Sequence, residues 1–156
     1  MTRRLALLLV SGMALGWLSH DWWSPTVRHL RLALLDAHAS SGDATAQLQA
    51  GIAYAHQGDA KSPVRAVTWF RNAAEQGHPD GQFRLAAAYY VGFGADKDPM
   101  LAYMWSSLAE QRASGTLRHD AMRLQTYAAA TLAPEQVADA QRHAREWQAA
   151  FEKRKP

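Results

Sequence analysis

Cysteine is missing from all 156 residues, which excludes disulfides, thiolate nucleophiles and thiolate-bound metals. A disulfide-free chain folds in either redox environment, so this absence leaves the compartment open. Glycine (10) and proline (6) are few and stand between apolar runs instead of clustering, as suits an all-helical chain. The net charge of +3 comes from the ends, Arg3-Arg4 and Lys153-Arg154-Lys155. Between Ser24 and Glu152 no basic stripe alternates with exposed aromatics, so a nucleic-acid partner is not expected.

Signatures of chemistry are absent as well. No serine stands in a GxSxG setting, and none of the seven histidines forms an HxxxH or HxH pair. Gly94-Ala95-Asp96-Lys97-Asp98 lacks the further oxygen ligands and distal Glu of a calcium loop. Gly92-Phe93-Gly94 closes a helix instead of opening one after a strand, so it is no phosphate loop. No catalytic residue, metal or cofactor is therefore expected.

What is present is an internal repeat. Gln47 and Gln82 match across 35 residues, as do Tyr54 and Tyr89. Ala66 and Ala102, and Trp69 and Trp105, match across 36. A period of this size carried by helical segments marks stacked helix pairs. Asp43 to His56 reads as the first helix of one pair, with Ala46, Ala50, Gly51 and Tyr54 on one face. Gly51 inside a helix implies close approach of the partner helix. Ser62-Pro63 caps the second helix, whose inner stripe is Ala66, Trp69, Phe70, Ala73 and Ala74, and Gly77 ends it. The next pair runs from Pro79 through Leu85, Ala86 and Tyr89, then from Asp98-Pro99 through Ala102, Trp105 and Ala109.

Before these pairs, Val27, Leu30, Leu34 and Ala37 recur at helical spacing, which predicts an N-terminal capping helix over 24–42. After two repeats over 43–115, residues 116–156 form a capping helix pair and basic tail. Its inner positions are Ala121, Leu124, Tyr127 and Ala128, then Val137, Ala140, Ala144, Trp147 and Phe151.

Residues 1–23 carry a targeting signal. Arg3-Arg4 precedes an apolar run of 14 residues, Leu5 to Leu18, shorter than the roughly 20 of a full span. Ala14-Leu15-Gly16 fits a cleavage site, while Trp17, Trp22 and Trp23 fit the interfacial belt of an uncleaved anchor. A buried N-terminal helix is the bland alternative. The expectation is export to the periplasm, with an inner-membrane tether preferred over cleavage.

These residues resemble the SEL-one-like repeat (SLR), a relative of the tetratricopeptide repeat. Its pattern is met by Leu85, Tyr89, Gly92, Gly94, Asp98, Ala102 and Trp105 in the second unit. The first unit meets it with Ala46, Gly51, Tyr54, Ala66, Trp69, Ala73, Ala74 and Gly77, departing at Gln57-Gly58. The resemblance covers about residues 34 to 150. It implies an all-α, right-handed α/α superhelix that binds other proteins without catalytic residues or cofactors.

A partner peptide or helix is expected on the concave face, lined by first-helix residues pointing away from the core. By helical phase these are Gln47, Gln49, His56, Arg84, Ala88 and Tyr90, with Ala53 and Val91 beside them. Tyr90 leads as an aromatic anchor. Three settings remain open: an envelope scaffold for proteins, an envelope protein binding a glycan or small ligand, and a cytoplasmic adaptor whose first helix packs on the repeats.

Overall fold

The computed structural model describes residues 25–154, with side chains from Leu30 onward. The expectations for segment 1–23 lie outside the described residues. Seven helices follow in order: α1 (Pro25–Ala39), α2 (Ala44–Ala55), α3 (Ser62–Glu75), α4 (Pro79–Val91), α5 (Pro99–Arg112), α6 (Gly115–Ala129) and α7 (Pro134–Arg154). No strand occurs among the described residues. The expected all-α architecture of stacked helix pairs is what the chain adopts.

Local chemistry sets the boundaries. The Asp43 and Asp98 carboxylates accept from the backbone N–H groups of Ala46 (2.6 Å) and Leu101 (2.9 Å), capping α2 and α5. His78 caps α4 through Nδ1, 3.4 Å from the Gly81 nitrogen. The expectation that Ser62 caps α3 is corrected. Ser62 is the first helical residue, and the Asp59 carboxylate accepts from the backbone N–H of Lys61 and Ser62, both at 2.9 Å. The Ser62 hydroxyl donates to the same carboxylate, which holds the Asp59 pKa below the usual carboxylate value. Gly77 and Gly92, both at φ 79°, supply the left-handed residues that end α3 and α4.

The pairs close through small residues. Ala66, Ala73, Ala74, Ala86 and Ala102 are fully buried, so backbones approach closely around the larger Phe70, Leu85, Trp105 and Leu108. Leu85 and Leu108 are 0 % exposed, each contributing about 1.5–3 kcal/mol of burial. A Cβ at Gly51 would sit 2.6 Å from the Phe70 ring, so the interior glycine is the price of helix proximity.

The recurrence of glutamine has a structural cause. Gln47 Nε2 donates to the Ala39 carbonyl (3.3 Å) and Gln82 Nε2 to the Ala74 carbonyl (3.2 Å). Each first helix thus adds a further donor to a carbonyl at the end of the preceding second helix, where Ala39 also accepts from the Gly42 N–H (3.2 Å) and Ala74 from the Gly77 N–H (2.9 Å). Gln76 Nε2 completes the first junction by donating to Gln47 Oε1 at 2.7 Å.

The ends differ from expectation in phase. On α1 the buried residues are Leu32 and Ala39, while Leu30 and Leu34 are 61 % and 63 % exposed. Among the described elements α1 packs chiefly on α2, with Asp36 also accepting from Trp69 Nε1 of α3, so the opposite face is left uncovered. On α6, Ala121 and Ala128 are buried, Leu124 is half-buried, and Tyr127 turns outward. Helix α7 docks on α5: Trp147 meets Trp105 edge-on at 5.4 Å and stacks on Phe151 at 4.9 Å. The Arg112 guanidinium lies 5.2 Å from the Trp147 ring and 5.0 Å from that of Phe151. It also bonds Gln148 and pairs with Glu152 at 3.9 Å, and burial lowers its pKa from the ordinary arginine value.

Candidate functional site

The first helices touch in a row, α2 beside α4 and α4 beside α6. Between α4 and α6 this row opens into a groove of about 260 Å³ lined by Phe83, Ala87, Asp120, Arg123, Leu124 and Tyr127. The phases of the two helices create it. Leu85 and Ala86 turn α4 toward the core, leaving Phe83 and Ala87 on the flank. Ala121 and Ala128 do the same for α6, placing Leu124 and Tyr127 opposite. Arg123 Nη2 and Asp120 Oδ1, 2.8 Å apart, form a polar edge, and exposure of 71 % and 43 % makes them a weak, screened pair. Tyr127 is 56 % exposed, an aromatic body with a free-standing rim beside an apolar floor. Such a surface takes an apolar side chain of an approaching helix or peptide and offers a hydrogen-bonding edge to fix it.

The sequence-selected residues divide. Gln49 and His56 are exposed and line a second cavity, of about 400 Å³, with Arg31, Leu32, Leu35, Ile52, Ala53 and Gln57 at the α1–α2 edge. Gln47 and Ala88 are corrected, since both are buried: Gln47 holds the junction with Ala39, and Ala88 belongs to the core. Arg84 is half-buried with Nε 3.0 Å from Asp80, one turn earlier. Tyr90 is half-buried and packs on the cluster of Ala102, Tyr103, Ala128 and Ala140, with Lys97 Nζ 5.8 Å above its ring. The structure therefore groups Gln49 with His56 and leaves Arg84 and Tyr90 apart from them.

None of Phe83, Ala87, Asp120, Arg123, Leu124 and Tyr127 is among the residues expected on the binding face. Leu124 and Tyr127 continue an apolar pattern that reads as core when α6 is assumed to be covered on both sides. The usable signal was Phe83, an aromatic off the Leu85–Tyr89 stripe. Among the described residues no group of three or more His, Asp or Glu side chains is placed to hold a metal ion. No described helix is long and apolar enough to cross a membrane.

An array of similar helix pairs, each second helix bonded to the first helix of the next, defines a helical-repeat protein. The repeat is Sel1: the Sel1 repeat family matches residues 44–78 and 79–113, the two units built on α2–α3 and α4–α5. The fold resembles that of a protective antigen of uropathogenic Escherichia coli strains that displays an SLR fold. That likeness has a TM-score of 0.64 and 25% identity, and it covers 80% of this chain but 28% of the antigen. The chain thus spans under a third of that protein's length. No curated protein matches the sequence.

Proposed function

We propose that this chain is a non-catalytic scaffold of the cell envelope that binds a peptide or single helix of another protein in the α4–α6 groove. The Sel1 family points to protein–protein interaction, and the observation that carries the site is the apolar groove of Phe83, Ala87, Leu124 and Tyr127 on adjoining first helices. The groove's length, two helices wide, suits a short ligand. The address rests on Arg3-Arg4 ahead of Leu5–Leu18, the pattern of a segment that delivers and tethers a chain at the inner membrane.

The test is a cross-linking capture in the native host with the full chain and with Tyr127→Ala. A specific protein lost at least tenfold with Tyr127→Ala supports the groove, while equal recovery from both chains refutes it. The exposed Tyr127 ring also favours a second reading, stacking of a sugar or other small ring. A glycan array bound by the full chain but not by Tyr127→Ala, with no protein captured, would decide for it. Cell fraction and mature N-terminus test the address: intact protein in the cytosol refutes export.

A further inference from the structure

The α1–α2 edge carries a charge at a position that the inner units bury. Arg31 stands 35 residues before Ala66, which stands 36 before Ala102, and both alanines are 0 % exposed. Leu32 and Leu35 stand 35 before Val67 and Phe70, which are buried as well. In the inner unit Gly51 brings α2 onto this face of α3, so close that an added Cβ would lie 3.2 Å from the Ala66 carbonyl oxygen. On α1 the same face borders the cavity of about 400 Å³. Leu32, Leu35, Ile52 and Ala53 give it an apolar lining, and Arg31 and His56 are exposed at its rim.

Two properties restrict what can fill this cavity. Its volume lies within the roughly 300–1,000 Å³ of ligand sites, and its lining calls for aliphatic surface. Anything pressed as close to α1 as α2 is to α3 would also take Arg31 out of water, which is strongly unfavourable unless the guanidinium meets an opposite charge. Among the described residues no acidic side chain lines the cavity. The acids between Leu30 and Lys61 have partners of their own: Asp36 accepts from Tyr54 and Trp69, Asp43 caps α2, and Asp59 caps α3. The carboxylate must therefore come with the occupant. The α4–α6 groove differs, because its Asp120 and Arg123 already pair with each other.

We infer that the α1–α2 edge cavity is a second binding site, for a segment of another protein that seats a Leu, Ile or Val side chain on Leu32, Leu35 and Ile52 and places a neighbouring Asp or Glu on Arg31. A guanidinium meets a carboxylate through two parallel N–H···O bonds, which fixes the direction of the bound segment. Because Arg31 is exposed, the pair governs the choice of partner and the rate of encounter more than the affinity, and it weakens as salt rises. The site does not depend on the proposed groove on α4 and α6.

The experiment selects a phage library of random short peptides on the immobilised full chain, then measures the enriched peptides on variants. The expected peptides carry Asp or Glu beside Leu, Ile or Val and bind Arg31→Glu at least tenfold more weakly than the natural chain. Arg145→Glu makes the same change in net charge at an exposed position of α7 and should leave binding unchanged. Equal loss in both variants would reduce the effect to unspecific attraction and overturn the inference. So would enriched peptides without acidic residues, no enrichment at all, or binding lost with Tyr127→Ala but kept with Arg31→Glu, which would assign the peptides to the α4–α6 groove. Self-association of the free chain that Arg31→Glu abolishes, read by light scattering, would give the cavity to a second copy and overturn it too. If Arg31→Glu melts without cooperativity, Arg31→Gln decides by the same outcomes.

Discussion

Tyr54 and Tyr89 hold equivalent positions, yet the hydroxyl of Tyr54 donates to the Asp36 carboxylate whereas that of Tyr89 accepts from Arg71 Nη2 at 2.9 Å. Each partner stands 18 residues upstream, on the second helix of the preceding unit. A hydroxyl both donates and accepts, so the same tyrosine joins units whose facing charges are opposite. Asp36 accepts also from Trp69 Nε1 at 2.9 Å, which makes the first junction the richer one.

Asp36→Ala is expected to cost more than Arg71→Ala. Removing the carboxylate deprives two part-buried donors, Tyr54 Oη and Trp69 Nε1, at about 1–3 kcal/mol. Removing Arg71 leaves one half-buried hydroxyl that water reaches, at about 0.5–1.5 kcal/mol. Urea unfolding of both variants measures this, and equal losses would show that the carboxylate does not organise the junction.

Alkaline titration gives a signed expectation for the same pair. Burial first, then the Asp36 carboxylate, raises the Tyr54 pKa above its ordinary 10.0. The folded state therefore holds the phenolic proton more tightly than the unfolded state. That contribution is complete below the unfolded value and is lost as pH rises through the folded one. The stability difference between the natural chain and Tyr54→Phe should shrink above pH 10.0; a flat difference by fluorescence-monitored unfolding would contradict the assignment.

Gly94→Ala should destabilise while Gly58→Ala should not. Gly94 has φ 65°, and an added Cβ would fall 2.2 Å from the Pro63 carbonyl oxygen, pushing the α4–α5 turn off the start of α3. The left-handed conformation alone costs about 1–2 kcal/mol in a residue with a Cβ. Gly58 has nothing within 4 Å and no positive φ, so its change should stay within about 0.5 kcal/mol. Thermal melts of both variants check the contrast.

Two tyrosines should separate packing from binding. Tyr90 packs on the Ala102–Tyr103 cluster, so Tyr90→Ala should cost about 1–3 kcal/mol. Tyr127, 56 % exposed, should cost no more than about 0.5 kcal/mol when truncated and lose partner capture instead. Melting and capture measured on both variants would expose a reversed pattern, which would move the binding surface to the Tyr90 end of α4.

Sequence periodicity revealed the repeated interior because each position there answers to two neighbours at once. Gly51, Tyr54, Phe70, Leu85 and Trp105 are constrained by facing helices, and the return of Tyr54 as Tyr89 after 35 residues and of Trp69 as Trp105 after 36 records that constraint. Helix starts were legible from Asp43 and from Asp98-Pro99, since a cap acts within one turn. The binding surface was not. Gln47 repeats in Gln82 for an internal reason, a carbonyl in the preceding helix, and repetition alone does not separate that role from contact with a partner. At the ends periodicity misled, because α1 and α6 carry apolar stripes wider than the neighbours that cover them: Leu34 and Tyr127 face outward. The polar anchor of α3, Asp59, was hidden by the more familiar Ser-Pro pair three residues on.

Helix α7 reaches beyond the unit it follows. Phe151 lies over Gly77, at the turn from α3 to α4, so that a Cβ there would meet its ring at 2.5 Å, while Trp147 is held on α5 by Trp105 and Arg112. Stacked repeats that touch only their neighbours tend to melt unit by unit. A brace running from the last unit to the junction between the two Sel1 repeats ties their fates together. The array should therefore lose structure in a single step, and cutting that brace with Phe151→Ala would let the two repeats come apart at different temperatures.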